Sequence, residues 1–320
     1  MTALAYIFSA LKYVIYGSSI YFTSTLTATT DVLDVLSLRF LLSFAVIWLL
    51  KTVRVLKINV GVADIFKKTE RSPHIKTLLL AALFEPVLYM LFETLGISMS
   101  SNIMTAVIIS LMPIVSIVTE TLILKERTTL LQKIFLALGV VGVIYIAVNT
   151  KTGGNGDSVL GILFLILAVL CGSLFLVFSR KSSKHFKPLE VTYFSCMMGA
   201  VAFNAANVVR HLIRGDILHY FDPYLNPDNI TGFIFLAIIS TIIATCLGNF
   251  ALGKIQPTTM SALSGISMLT TITVGVTVNG EHLYYFHYIG LTLIFIRMIG
   301  VSVIAIRKER KKLKIGDIPK

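Results

Sequence analysis

Six ionisable side chains stand inside long apolar stretches of this sequence: Lys12, Arg39, Glu85, Glu93, Glu120 and Arg297. A charge held at the centre of an apolar layer costs about 3 kcal/mol or more unless it is paired or hydrated. Each of the six therefore needs a partner, a polar cavity or a route to water. Glu85, Tyr89 and Glu93 follow at i, i+4 and i+8, which places two carboxyls and a phenol on one helix face. Pro86 adjoins the first of them, frees the carbonyl of Ala82 and predicts a kink beside the glutamate. Such a face either lines a polar cavity, where a carboxyl titrates or contacts a solute, or locks helices together through buried ion pairs. Lys12 and Glu85 each fall about 13 Å into their stretches, so an ion pair between them is geometrically allowed. Arg39 enters from the opposite side, within about 10 Å of both Glu85 and Glu93 by the same rise per residue. Arg297 is mid-stretch, and Glu120 lies near an end, where it can reach water.

Further polar groups share these stretches. Tyr13 and Tyr16 fall near the middle of the first one, where a phenol needs a partner. They form either an aromatic wall for a cationic or amphipathic ligand or plain core. Asn102, Thr105, Ser110, Pro113 and Ser116 stud one stretch, and Thr258, Ser261, Ser264, Ser267 and Thr271 another. Small hydroxylated residues let helices approach closely or bind a solute. Asn249, flanked by Gly248 and Gly253, is an interhelix tie or a ligand contact. Tyr6, Tyr21 and Trp48 suit the edges of the layer. Cys171, Cys196 and Cys246 all lie in apolar sequence and read as small core residues. The six histidines fall in or near connections without metal-ligand spacing. No nucleotide-binding loop, HExxH helix or nucleophile elbow is present. Neither metal nor cofactor is expected, nor an enzyme, and an ATP-driven pump is excluded for this chain alone.

Composition sets the elements that must carry these residues. Of 320 residues, 56% are apolar and 14% charged, and the mean hydropathy is +0.85. Soluble domains carry about 25% charged residues, so a soluble enzyme, a disordered chain and a secreted disulfide scaffold are all excluded. The net charge of +12 would suit nucleic acid, but the positive residues sit in short runs between apolar blocks, so a lipid bilayer is the expected partner and nucleic acid is not. Ten blocks of roughly membrane-spanning length run near 3–22, 31–50, 76–97, 101–123, 129–148, 158–179, 189–209, 231–252, 257–279 and 285–306. They are continuous rather than alternating, hence helices and not barrel strands. The first lacks a basic leader and carries Lys12 in its middle, so it reads as a membrane helix rather than a cleaved signal. With the N-terminus cytoplasmic, the inner connections hold 22 Lys and Arg and the outer ones three, Lys151, Arg210 and Arg214. That asymmetry predicts both termini in the cytoplasm.

The polar, Gly-rich segment 149–157 divides the chain five blocks to five. Residues 1–150 and 151–320 are therefore expected to be two repeats, the second ending in a basic tail. Weak similarity crosses the divide: Leu124-Lys125-Glu126-Arg127 closes one stretch and Asn279-Gly280-Glu281-His282 its counterpart. An odd number of helices per repeat inverts the second half relative to the first, as in secondary transporters with a site near the midplane.

The run Phe92-Glu93-Thr94-Leu95-Gly96-Ile97, then Ser98-Met99-Ser100-Ser101-Asn102, Leu111-Met112-Pro113 and Leu124-Lys125-Glu126-Arg127 resembles the EamA-type branch of the drug/metabolite transporter superfamily. Tyr16-Gly17-Ser18-Ser19 resembles that family's Trp-Gly-Ser-Ser, and Leu38-Arg39-Phe40 its Arg-Phe. The second half departs from the pattern, with Met268 near the expected proline and Glu281-His282 in place of Glu-Arg. The resemblance implies an all-α membrane protein of ten transmembrane helices in a 5+5 inverted repeat. It also implies alternating access, a cavity lined by the first, third, fourth, sixth, eighth and ninth helices, and peripheral fifth and tenth helices through which a homodimer could form. Members move amino acids, nucleobases, drugs and other small metabolites, mostly outward. Three basic residues balance three acidic ones inside the apolar blocks, which favours a zwitterionic or neutral small-molecule substrate. The expected cavity residues are Tyr13, Tyr16, Glu85, Tyr89, Glu93, Asn102, Asn249 and Ser264, with Lys12, Arg39 and Arg297 as a charge network. The expected site of action is the plasma membrane. The competing reading is a non-transporting membrane protein: a receptor, a scaffold or a membrane enzyme without a known motif.

Overall fold

The structure, a computed structural model, describes residues 2–56, 58, 72–123, 129–149 and 158–316. Leu124-Lys125-Glu126-Arg127 and the linker residues 150–157 lie outside them, as do the side chain of Glu120 and the last four residues. Among the described residues every regular element is helical. In chain order we label α1 (Thr2–Thr27), α2 (Val32–Thr52), α3a (Ser72–Ala82) and α3b (Tyr89–Ile97), α4a (Asn102–Ile109) and α4b (Met112–Ile123), and α5 (Leu130–Asn149). The second half continues with α6 (Val159–Ser182), α7 (Pro188–Arg214), α8a (Pro227–Ile234) and α8b (Thr245–Leu252), α9a (Pro257–Ala262) and α9b (Gly265–Thr277), and α10 (Tyr285–Gly316). Among the described residues, seven stretches are long and apolar enough to cross a membrane: α2, α3 from His74, α4, α6, α7, α8 and α9 from Thr259. The chain is a multi-pass membrane protein.

Four of these stretches are interrupted midway, at matching places in the two halves. Between α3a and α3b, Leu83–Leu88 carries π-type hydrogen bonding across a kink, at which Glu85 is non-helical with φ −141° and ψ 117°. Pro86 donates no hydrogen bond there, as its ring demands. The counterpart, Phe235–Ala244 between α8a and α8b, is also π-helical. No proline forces it; Thr241 Oγ1 instead donates to the Leu236 carbonyl at 2.8 Å. α4 breaks at Ser110 and Leu111, just before Pro113, and α9 breaks at Leu263 and Ser264 without a proline. The missing proline near Met268 therefore does not abolish the second break.

Close crossings hold the frame. α5 and α10 pack on one another, and a Cβ on Gly142 would lie 2.8 Å from the Gly290 carbonyl oxygen. Larger residues there would force the helices apart. Their outer faces, with Ile134, Val141, Ile144, Ile289, Ile296 and Ile299, are exposed, as lipid-facing surfaces should be. α1 lies equally close to α9b, where Thr271 Oγ1 donates to the Gly17 carbonyl at 3.0 Å.

Contacts between connections define the two ends of the bundle. At one end Arg180 donates to the Leu252 carbonyl and the His74 and His185 rings stack 3.4 Å apart. At the other, the backbone N–H of Ser158 donates to Met99 at 2.9 Å. There Arg210 also pairs with Asp31 and, at 2.6 Å, with Asp34. His211 bridges Asp34 and Asp216 at 2.9 and 2.8 Å.

Candidate functional site

Within the bundle, α1, α3, α4, α6 and α9 enclose a cavity of about 450 Å³ including its mouth. The helix breaks put chemistry on its wall. Glu85 sits at the α3 break, while Met112 and Ser264 flank the breaks of α4 and α9. Tyr13, Tyr16, Tyr89, Glu93 and Lys12 also line it. Six of the eight residues expected from sequence, Tyr13, Tyr16, Glu85, Tyr89, Glu93 and Ser264, thus share one space.

Local pairing fixes the acidic side chains. The Tyr16 hydroxyl donates to Glu85 Oε1 at 3.0 Å and lies 3.3 Å from Thr245 Oγ1. The Tyr89 hydroxyl donates to Glu93 Oε1 at 2.5 Å, which is the i, i+4 spacing made into a bond. Both pairs are neutral donors to carboxyls, and among the described residues neither carboxyl is bonded to a cation. The Lys12–Glu85 ion pair that equal depth allows does not form. Lys12 Nζ instead lies 4.6 Å from the Tyr16 ring centroid and 5.5 Å from that of Tyr13. Among the described residues it makes no hydrogen bond or salt bridge. Cation–π contact offsets part of the cost of burying an ammonium while leaving its three donors for a ligand. The Ser264 hydroxyl is buried and has no hydrogen-bond partner among the described residues.

The other expected residues serve the frame. Arg39 does not reach the glutamates; its Nε and one terminal nitrogen donate to Thr241 and Ser240 at 2.8 and 3.2 Å, tying α2 to the π-helical stretch before α8b. Arg297 donates to the Ser110 carbonyl, a group released by the α4 break, and packs over Gly139 of α5. Lys12, Arg39 and Arg297 therefore form no common network. Each cation answers a different local need. Asn249 accepts from Ser179 at 3.0 Å and donates to Thr192 at 3.1 Å, so it ties α8b to α6 and α7. Asn102 heads α4a, away from the cavity wall. Its backbone N–H and that of Ile103 donate to the two carboxylate oxygens of Glu281 at 3.1 and 3.0 Å. A carboxylate at a helix N-terminus satisfies donors that have no helical partner and complements the helix dipole. Gly280, at φ 66°, provides the left-handed turn that aims Glu281 there.

Sequence reasoning missed the cavity residues Ile20, Ile109, Met112, Gly172 and Leu176, which are apolar or small and carry no chemical signal of their own; Ser267, noted there only among the small hydroxylated residues, also lines it. It also missed the Asp34–Arg210–His211 cluster, since charges near block ends read by default as solvated.

A family model described as the EamA-like transporter family matches residues 3–148 and again residues 159–303. The uncharacterized transporter YcxC of Bacillus subtilis (strain 168) is 31% identical over 312 residues, which is 96% of this chain and 95% of that protein. A solved crystal structure of a protein at 16% identity covers 95% of this chain and 98% of its own, with a TM-score of 0.65; at that identity the likeness concerns the fold alone.

Proposed function

The chain belongs to the EamA-like transporter family and is a membrane transporter, and from that premise we propose that it moves a small zwitterionic metabolite, an amino acid or similar solute, by alternating access. The observation that carries this reading is the cavity at the breaks of α3, α4 and α9, with an ammonium unpaired among the described residues on one wall and two carboxyls on another. Lys12 and the free Ser264 hydroxyl suit a substrate carboxylate, and Glu93 with Tyr89 suits an ammonium group. Tyr13 and Tyr16 supply an aromatic flank. Broken helices in corresponding positions of two repeats are the usual frame for a midplane site.

In this proposal all ten rods, α1 to α10, cross the membrane as a 5+5 inverted repeat divided near residue 150. Both termini face the cytoplasm of a plasma membrane, as the 22-to-3 distribution of Lys and Arg favours. Export is the favoured direction. The contact of Glu281 with α4a then joins the two halves at the outer face, and the halves rock about the cavity when such contacts exchange. A homodimer would use the apolar outer faces of α5 and α10.

Thermal stabilisation of the detergent-solubilised protein by a panel of amino acids, amines, nucleosides and sugars tests the substrate class. A ligand that binds only the folded state adds about 2.7 kcal/mol of stability at 100 times its Kd. The proposal expects stabilisation by at least one zwitterion, lost in Lys12→Met. Stabilisation only by solutes lacking a carboxylate would contradict it.

A further inference from the structure

Glu85 faces two cavities. Besides the central one, a smaller cavity, of about 250 Å³ including its mouth, is lined by Glu85 together with Phe40, Ser195, Cys196, Thr241 and Thr245. Among the described residues, Glu85 alone lines both. The extended backbone of Glu85 within α3 takes this one carboxyl out of helical register between the two spaces.

The smaller cavity lacks partners for its own polar groups. Among the described residues the hydroxyl of Ser195, a residue 5% exposed, has no hydrogen bond. Thr241 is already committed to Arg39 and to the Leu236 carbonyl, whereas Thr245 meets, among the described residues, the Tyr16 hydroxyl alone, at 3.3 Å. Glu85 Oε1 accepts from Tyr16, and Oε2 has no hydrogen bond among the described residues. Buried water occupies sites that offer it two to four polar partners, and Ser195, Thr245 and Glu85 offer three. A metal cation fits poorly, because the Arg39 guanidinium is bonded to Thr241 on one side and the Lys12 ammonium flanks Tyr16 on the other.

We propose that this smaller cavity is a water site that loads a proton onto Glu85 by a route separate from the substrate cavity. In the loading step an O–H bond of a hydronium in the cavity breaks. Its proton bonds to Glu85 Oε2, water remains, and the carboxylate becomes a neutral carboxylic acid. The titratable and charged groups around Glu85 are Lys12, Tyr13 and Tyr16 from α1, Arg39 from α2, Tyr89 and Glu93 from α3 and Cys196 from α7. The α4, α6, α8 and α9 residues named in the two linings do not titrate. Use of this proton to drive transport rests on the function proposed above; the loading itself does not.

The test is infrared difference spectroscopy of the full-length protein in lipid nanodiscs, without substrate or gradient, so failure of the transport reading leaves it untouched. Lowering the pH should bring up a protonated-carboxyl band that is absent in Glu85→Gln and retained in Glu93→Gln. Ser195→Val fills the cavity and removes its free hydroxyl. It should slow hydrogen–deuterium exchange of that band at least tenfold, and Ser195→Thr, which keeps a hydroxyl, should stay near wild type. If Ser195→Val fails to fold, Thr245→Val should slow exchange in the same way. A band that survives Glu85→Gln, or wild-type exchange in the folded valine variant, overturns the proposal.

Discussion

Removing the Glu281 carboxylate should loosen the bundle by a predictable amount. It satisfies two backbone donors at the start of α4a, at 3.1 and 3.0 Å, and both donor residues, Asn102 and Ile103, are buried. Loss of a capping side chain costs about 0.5–2 kcal/mol, and a carboxylate at a helix N-terminus adds about 0.3–1 kcal/mol through the dipole. Glu281→Ala should therefore cost about 1–3 kcal/mol. For a chain of 320 residues, the unfolding entropy of about 2.1 cal/mol/K per residue turns this into a melting temperature lower by about 1–4 °C. Glu281→Gln keeps one acceptor oxygen but brings an amide N–H against the second donor, so it should fall between wild type and alanine. The assay is thermal unfolding of the purified protein in one detergent, followed by loss of the monodisperse peak. An alanine variant that melts with wild type, or a glutamine variant less stable than alanine, would refute the assignment of Glu281 as the cap that joins the halves.

Other expectations concern the frame. Gly142→Ala puts a methyl group 2.8 Å from the Gly290 carbonyl oxygen, and overpacking of this kind costs about 1–3 kcal/mol; the same melt should show it, while Val141→Ala on the exposed face should be near neutral. Arg39→Met removes the bonds to Thr241 and Ser240 and should destabilise by about 1–3 kcal/mol; the double variant with Thr241→Val should cost less than the sum of the two single changes. His185 is held below the ordinary imidazole range by desolvation, then by His74 and Lys184. A depressed value means that the neutral ring favours folding, fully so above the unfolded value of about 6.5, and that this contribution is lost as pH falls below it. Wild type should accordingly lose more stability on acidification than His185→Phe, measured as the difference in melting temperature between neutral and mildly acid buffer.

Much of this architecture was legible because lipid leaves little freedom. The apolar blocks anticipate the helices closely: 130–149 is observed for 129–148, and 257–277 for 257–279. The α3 break was legible in Pro86. The α8 break was not, because its cause is a threonine hydroxyl competing for a carbonyl under the grip of Arg39, a tertiary contact with no local signature. Within the site, periodicity brought Tyr89 and Glu93 together, since a helix face is a local property, whereas Glu85 reaches the same cavity through non-helical backbone at the break. Depth along the membrane normal did not predict who pairs with whom. Lys12 and Glu85 match in depth, yet two tyrosine rings beside Lys12 and a phenol on Glu85 take their places. In sequence Asn102 stood among the small polar residues of its block, and Asn249 stood as a lone amide, and both were expected at the cavity. One heads a helix capped from the other half, and the other ties three helices, distinctions that need the position of partners more than a hundred residues away for Asn102, and about sixty to seventy for Asn249.

The account stands most directly on whether the cavity between Lys12 and the Glu85–Glu93 face binds what is carried. Counterflow of radiolabelled amino acids into proteoliposomes, preloaded with the same unlabelled solute and free of any ion gradient, measures this. The account predicts saturable counterflow of at least one zwitterion, with apparent affinity weakened tenfold or more, about 1.4 kcal/mol, in Lys12→Met and in Glu93→Gln, both recovered folded. Counterflow untouched by either change, or none for any zwitterion in the wild-type protein, would contradict it.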